Sequence, residues 1–157
     1  MQGQLQAALA LLGVIPPPGL NELYTWYDGV DGAQAPEFLF GEQQFLSLDE
    51  ALQEYQHIQN YYSSSLVNMA QCFPFAGFQG SIGVVYGDTT PIEGLHHPVL
   101  EIYHGISIAF ENLDRMVETV NEWFRMGGYD TEPVDEILRL TIRQCLNPQL
   151  PAKASLL

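Results

Sequence analysis

Positive charge is what this sequence has least of, since 5 lysine and arginine residues stand against 19 aspartate and glutamate residues. The formal net charge is −14, and no lysine or arginine precedes Arg115. A surface of this kind repels nucleic acid and anionic membranes and attracts basic partners. Acidity also keeps many proteins soluble and is general in salt-adapted proteomes, so charge alone does not identify a partner.

Cysteine and long apolar runs are also scarce. Cys72 and Cys145 form no C-x-x-C pair, so zinc and thioredoxin-type chemistry are unsupported, and we expect two buried free thiols. The apolar run from Ala7 to Ile15 is interrupted by Gly13 and is too short to span a bilayer. It also follows no basic signal-peptide segment. We therefore expect a cytoplasmic protein that does not enter the membrane.

The sequence motifs of common catalytic sites are missing as well. There is no G-x-S-x-G nucleophile elbow, no G-x-G-x-x-G and no P-loop. Neither Cys72 nor Ser81 stands at a spacing that implies a catalytic base. We therefore predict no enzymatic activity and no cofactor. Apolar residues make up 46% of the chain, enough for one core, which predicts a single domain over residues 1–146 and a loose tail at 147–157.

Helical patterns are present at both ends of the chain. The first predicted helix, Gln4 to Leu12, ends at Gly13, and the second starts after Pro16-Pro17-Pro18 and ends near Asp28. The later predicted helices are Leu48 to Tyr62 behind a Ser47–Glu50 capping box, one that starts near the N-cap Asn112, and Pro133 to Cys145. The buried stripe predicted for the helix after Asn112 is Leu113, Met116, Val117, Val120 and Phe124.

Strand patterns lie between these helices. The predicted strands are Glu37 to Phe40, Gln44 to Leu46, Ser81 to Tyr86, Val99 to Tyr103 and Ile106 to Phe110. A two-residue His104-Gly105 loop would join the last two and pair Glu101 with Ile108. The order of elements predicts an α+β fold with an antiparallel-rich sheet of about five or six strands. Helices would cover one side of the sheet and lie at both termini.

Two groups of acidic and histidine residues resemble metal sites without matching one. The turn with Asp28 and Asp31 does not have the ligand register of an EF-hand, so we interpret it as a helix stop that presents carboxylates. In the loop before Pro98, the adjacent His96 and His97 would point to opposite sides of an extended segment. We therefore predict no metal site, although Asp88 and Glu93 lie in the same loop.

Glu101 is the carboxylate with the most ambiguous position. It lies in a predicted strand, either at a solvent-facing edge or buried with a partner. A general acid–base role would need a second group, for which Glu111 and His104 are the candidates. The spacing does not bring either of them to Glu101, so the sequence leaves its role open.

Four segments in order resemble the SUKH superfamily, which includes the yeast Smi/Knr regulator of cell-wall glucan synthesis and many bacterial proteins. They are Leu23-Tyr24-Thr25-Trp26-Tyr27-Asp28-Gly29, Phe45-Leu46-Ser47-Leu48-Asp49-Glu50-Ala51, Cys72-Phe73-Pro74-Phe75-Ala76-Gly77 with the strand Ile82 to Tyr86, and Val99 to Phe110. The resemblance covers about Gly13 to Phe124. The chain has Asp28-Gly29 where family members often have Asn-Gly.

The resemblance implies an α+β, non-enzymatic binding protein, and bacterial relatives resemble immunity proteins that neutralise a cognate toxin. An acidic surface would suit a toxin with a basic active site. The candidate partner-binding residues are Trp26, Asp28, Asp31, Glu37, Glu42, Asp88 and Glu93. Two alternatives remain: a regulatory scaffold of the yeast type, and a small hydrolytic or metal-dependent enzyme that uses the region from Asp88 to His104.

Overall fold

The structure is a computed structural model and describes residues 2–26 and 43–125. Its helices are α1 (Gln2–Leu12), α2 (Leu20–Trp26), α3 (Leu48–Tyr61) and α4 (Leu113–Arg125), with a 3-10 turn at Met69–Gln71. Its strands are β1 (Gln44–Phe45), β2 (Cys72–Phe78), β3 (Ser81–Tyr86), β4 (Val99–Ile102) and β5 (Ile106–Phe110). The strand predicted at Glu37 to Phe40, the helix predicted at Pro133 to Cys145 and the tail lie outside the described residues.

The five strands form one antiparallel sheet in the order β1-β2-β3-β4-β5. Each strand pairs with the next one along the chain, so the sheet is a meander without crossovers. This confirms the predicted α+β class with an antiparallel sheet. Within residues 2–26 and 43–125, no helix is long and apolar enough to cross a membrane.

Both faces of the sheet are buried, whereas the sequence predicted a sheet covered on one side. On β3, Ile82, Val84 and Tyr86 belong to one apolar cluster and Val85 belongs to the other. Residues that alternate along a strand point to opposite faces, so apolar residues at both sets of positions require two apolar environments. The cluster containing Val85 includes residues of all four helices. The other includes Ile92 of the loop before β4.

The sequence did not identify β2 as a strand, although it lies between β1 and β3 in the sheet. Proline has no amide hydrogen and is usually confined to strand edges or bulges. Here the register shifts between Pro74 and Ala76, so β2 carries an irregularity beside its proline. The carbonyl oxygen of Phe75, between them, accepts a hydrogen bond of 2.8 Å from the amide of Leu46.

The structure confirms the predicted end of α1 at Leu12 and the predicted start of α3 at Leu48, whereas the predicted end of α2 near Asp28 lies outside the described residues. Gly13, at the end of α1, has a φ of +69°. The capping box of α3 is present, because Glu50 N donates to Ser47 Oγ over 3.3 Å and Ser47 N donates to Glu50 Oε2 over 2.8 Å. Asn112 Oδ1 caps α4 by accepting from Arg115 N over 2.9 Å. These bonds are local in sequence, which is why the sequence predicts them well.

Two finer predictions are wrong. The pattern places Val117 in the buried stripe of α4, but 41% of it is exposed, because it lies at the edge of the stripe, about 100° around the helix from the buried Met116. In the β4–β5 hairpin, Ile102 pairs with Ile106, so the loop has three residues, 103–105, rather than two.

The longer hairpin loop shifts the pairing of Glu101 from Ile108 to Ser107. Inside the loop, Tyr103 N donates to Gly105 O over 2.9 Å, and His104 has a φ of +53°. The left-handed conformation of His104 closes the turn. Tyr103, which the sequence assigned to β4, is therefore the first residue of the loop.

Candidate functional site

The seven predicted partner-binding residues are only partly covered by the structure. Asp28, Asp31, Glu37 and Glu42 lie outside the described residues. Trp26 is the last residue of α2. The side chains that can be placed are those of Asp88 and Glu93, which lie together in the loop of residues 87–98 between β3 and β4.

Asp88 organises the start of this loop. Its Oδ1 accepts a hydrogen bond of 3.0 Å from the amide of Thr90, and its side chain also bonds that of Asn68. These hydrogen bonds hold the pKa of the Asp88 carboxyl below its ordinary value, and the bond from the Thr90 amide has the largest effect. The carboxylate therefore has a role within the fold, and a partner would meet it already hydrogen-bonded.

Glu93 lies at the tip of a tight turn inside the same loop. Ile92 N donates to Leu95 O over 3.0 Å, and Leu95 N donates to Ile92 O over 2.9 Å. Positive φ angles at Glu93 (+50°) and Gly94 (+81°) are typical of a type I′ turn. Ile92 is buried and anchors the turn, so the exposed Glu93 is held outward on a defined scaffold.

His97 differs from the sequence-based expectation. Pro98 was expected to hold it extended, but its φ is +53°. Its Nδ1 lies 3.1 Å from the carbonyl oxygen of Tyr86, which fixes Nδ1–H as the donor because a carbonyl only accepts. His96 is exposed. Among the described residues, no three histidine, cysteine, aspartate or glutamate side chains come together as a possible metal site.

Glu101 belongs to a chain of polar side chains at the β2–β3 turn end of the sheet. Ser81 Oγ donates to Glu101 Oε1 over 3.2 Å, and Gln43 Nε2 donates to Ser81 Oγ. The serine hydroxyl has a single hydrogen, which it donates to Glu101, and its oxygen accepts from the Gln43 amide. We call Gln43, Ser81 and Glu101 the polar relay. Within it, Glu101 is half-buried and already bonded.

Gln43 is the residue of this site that the sequence did not identify. It is only 1% exposed, although its side chain is a polar amide. Its Oε1 has no hydrogen-bond partner in the described part of the chain. The sequence gives no sign of this burial, because it arises from tertiary neighbours of a residue next to a two-residue strand.

Glu111 and His104, the two candidate partners of Glu101, make contacts with other residues. Glu111 forms an ion pair with Arg115, with 3.6 Å between Oε2 and Nε. The ring of His104 lies against that of Tyr103, with centroids 4.3 Å apart. Both side chains therefore have other contacts of their own.

Cys72 is a buried free thiol, as the sequence predicted. Burial raises its pKa to about 12, so the thiol stays protonated at neutral pH. A nucleophilic cysteine needs its thiolate form, and this environment opposes it. Cys145 lies outside the described residues.

Positive charge is confined to α4 in the described part of the chain, where Arg115 and Arg125 are the only lysine or arginine residues. Arg115 Nη1 lies 2.7 Å from Glu118 Oε2, and Arg125 Nη1 lies 3.3 Å from Glu122 Oε2. Both arginines are therefore paired with glutamates of their own helix. The rest of the described surface carries carboxylates and no lysine or arginine.

Comparison of the sequence with models of known protein families, and with curated proteins, finds no match.

Proposed function

We propose that the protein is a non-enzymatic binding module of the SUKH type, and that it acts as an immunity protein for a toxin with a basic active site. The observation that carries the proposal is the distribution of charge. Both described arginines are paired with glutamates on α4, and the remaining described surface offers carboxylates alone. A basic protein surface is the complementary partner for such a surface.

The environments of the reactive side chains support a binding role over the enzyme alternative. The Asp88 carboxylate and the His97 ring hold the loop of residues 87–98 in place. Glu101 is bonded to Ser81, and burial keeps the Cys72 thiol protonated. A thiol that stays protonated is a poor nucleophile, so the environment of Cys72 favours a binding role.

The antiparallel sheet is consistent with the α+β fold that the SUKH resemblance implies. A sheet with apolar clusters on both of its faces is a suitable scaffold for a binding surface. A regulatory scaffold of the yeast type would use the same kind of surface. It differs from an immunity protein in its partner, which would be a host regulatory protein and not a toxin.

Neutralisation tests the proposal directly. A basic partner would first be captured from the native cell lysate with the tagged full chain. That partner would then be expressed in a bacterial host, alone and together with this protein. We expect the partner alone to stop growth and co-expression to restore it. A captured partner that leaves growth unaffected, or that remains toxic on co-expression, would contradict an immunity function.

A further inference from the structure

The outward side of α3 carries a line of side chains that the core does not use. We call Glu50, Glu54, His57 and Tyr61 the outer stripe, since their spacing of four, three and four residues places them on one side of a helix. The buried residues Ala51, Tyr55 and Ile58 lie about a quarter of a turn around the helix from the outer stripe. Packing of these residues against the sheet therefore fixes which way the outer stripe faces.

The last turn of the outer stripe is aromatic. Tyr61 is 75% exposed, and its ring lies 4.7 Å from that of His57, with an angle of 37° between the planes. The Tyr62 ring also lies near His57, with 6.3 Å between the ring centroids. Tyrosine is enriched at protein interfaces because it offers a large apolar ring at low entropic cost, so an exposed pair of this kind is a candidate contact.

The turn after α3 adds the exposed Leu66, and hydrogen bonds to Ser64 hold this turn in place. Ser64 Oγ accepts from Leu66 N over 3.1 Å and from Val67 N over 3.2 Å. Val67 is buried, which anchors the turn, and Leu66 is 65% exposed. The apolar surface at this end of α3 therefore extends past the helix itself.

Three features give the middle and the C-terminal end of α3 a negative character. The C-terminal end of a helix carries partial negative charge, and the last turn of α3 has no basic residue to offset it. The face of the Tyr61 ring also attracts cations. Glu54 lies one turn before His57 and has no ion pair with the described residues. Glu50, in contrast, is bonded to Ser47 in the capping box.

We propose that the outer stripe of α3 binds a basic protein segment through an arginine that stacks on Tyr61 and His57 and pairs with Glu54. The inference rests on the proposed function insofar as the partner is basic, and it names the surface that binds it. A guanidinium fits better than an ammonium, because it is planar, stacks on aromatic rings and binds a carboxylate through two donors. Leu66 would contact the apolar part of the same segment.

The test uses the full chain, labelled with ¹⁵N, and a hexa-arginine peptide followed by chemical-shift changes. We expect the largest changes in residues 54–62. Tyr61→Ala should weaken binding about two- to fivefold, from loss of an exposed cation–π contact. Glu54→Gln should weaken it by a similar factor, and a hexa-lysine peptide should bind less tightly than hexa-arginine.

The chain offers matched controls for both substitutions. Tyr103 is also an exposed tyrosine beside a histidine, with rings 4.3 Å apart, so Tyr103→Ala controls for loss of an aromatic side chain. Glu22 is an exposed glutamate on α2, so Glu22→Gln controls for loss of one charge. Both control variants should bind the peptide as the parent does. Shifts spread evenly over the acidic surface, or equal losses in test and control variants, would overturn the proposal.

The same variants separate this proposal from the proposed function. If a basic toxin is captured and Tyr61→Ala binds it as tightly as the parent, the outer stripe is not the binding surface and the immunity function stands. If the peptide binds at the outer stripe but no basic toxin exists, the docking surface stands and the immunity function fails.

Discussion

Removing the hydroxyl of Ser81 should destabilise the fold by more than the loss of one surface hydrogen bond. In Ser81→Ala, the Gln43 amide loses its acceptor in a site where Gln43 is 1% exposed. A buried donor without a partner costs about 1–3 kcal/mol. The bond to Glu101 is lost too, but Glu101 is half-buried and can bind water instead, so this loss adds about 0.5 kcal/mol. We expect a total decrease of about 1.5–3.5 kcal/mol in the free energy of unfolding.

Urea titration of the full chain measures this change, with fluorescence and circular dichroism checked for coincident transitions. The informative control is Gln43→Met, which removes both the amide donor and the buried Oε1 while keeping a similar volume. In the Gln43→Met background, Ser81→Ala has no buried amide to leave without a partner. Its cost there should fall to about 1 kcal/mol or less, which a double-mutant cycle reports directly.

The reasoning would be refuted by either of two results. A change below about 0.5 kcal/mol in Ser81→Ala would mean that the relay contributes no more than an ordinary surface contact. The same cost in both backgrounds would mean that Gln43 and Ser81 are not coupled.

Four further predictions follow from single contacts or charges. Ser47→Ala removes the side-chain cap of α3 and should lower the free energy of unfolding by about 1 kcal/mol in urea. Cys72 should react with a thiol reagent only on unfolding, because it is buried and its thiol pKa is raised to about 12. Asp88 has a folded-state pKa below its ordinary value of 3.8, so it stabilises the fold above that pH and this contribution is lost as the pH falls through the lower folded value. Asp88→Asn should therefore reduce the acid-induced loss of stability. Asp28→Lys with Asp31→Lys should weaken binding of a basic partner in calorimetry and leave thermal unfolding unchanged.

Each of these predictions has a defined contrary result. An unchanged urea midpoint for Ser47→Ala would remove the capping box from the stabilising contacts. Rapid labelling of Cys72 in the native protein would contradict its burial. An identical pH profile for Asp88→Asn would mean that its hydrogen bonds do not persist in solution. Unchanged affinity after charge reversal would exclude Asp28 and Asp31 from the binding surface.

Features fixed by short-range chemistry were predictable from the sequence. The Ser47–Glu50 capping box spans three residues, and Gly13 ends α1 as expected. The β-branched runs that form β3 and β5 were also recognised. In each case the deciding interaction lies within a few residues, so tertiary context is not needed to recognise it.

Features fixed by tertiary contacts were not predictable. The sequence pattern did not predict β2 because it contains Pro74, and a proline is compatible with the interior of a sheet only where the hydrogen-bond ladder is irregular. A loop one residue longer than expected moved the partner of Glu101 to Ser107. The burial of Gln43 depends on contacts with residues far along the chain, such as Ser81. The exposure and ring contacts of the outer stripe of α3 also depend on how the helix packs against the sheet.

The most direct measurement is capture of partners by the tagged full chain from its native cell lysate, at low and at high salt, read by mass spectrometry. The account predicts one dominant basic protein with a toxin-like domain that is retained at low salt and lost at high salt, because charge complementarity weakens with screening. A dominant partner that is acidic, or that is retained equally at both salt concentrations, would contradict an acidic binding surface as the basis of function.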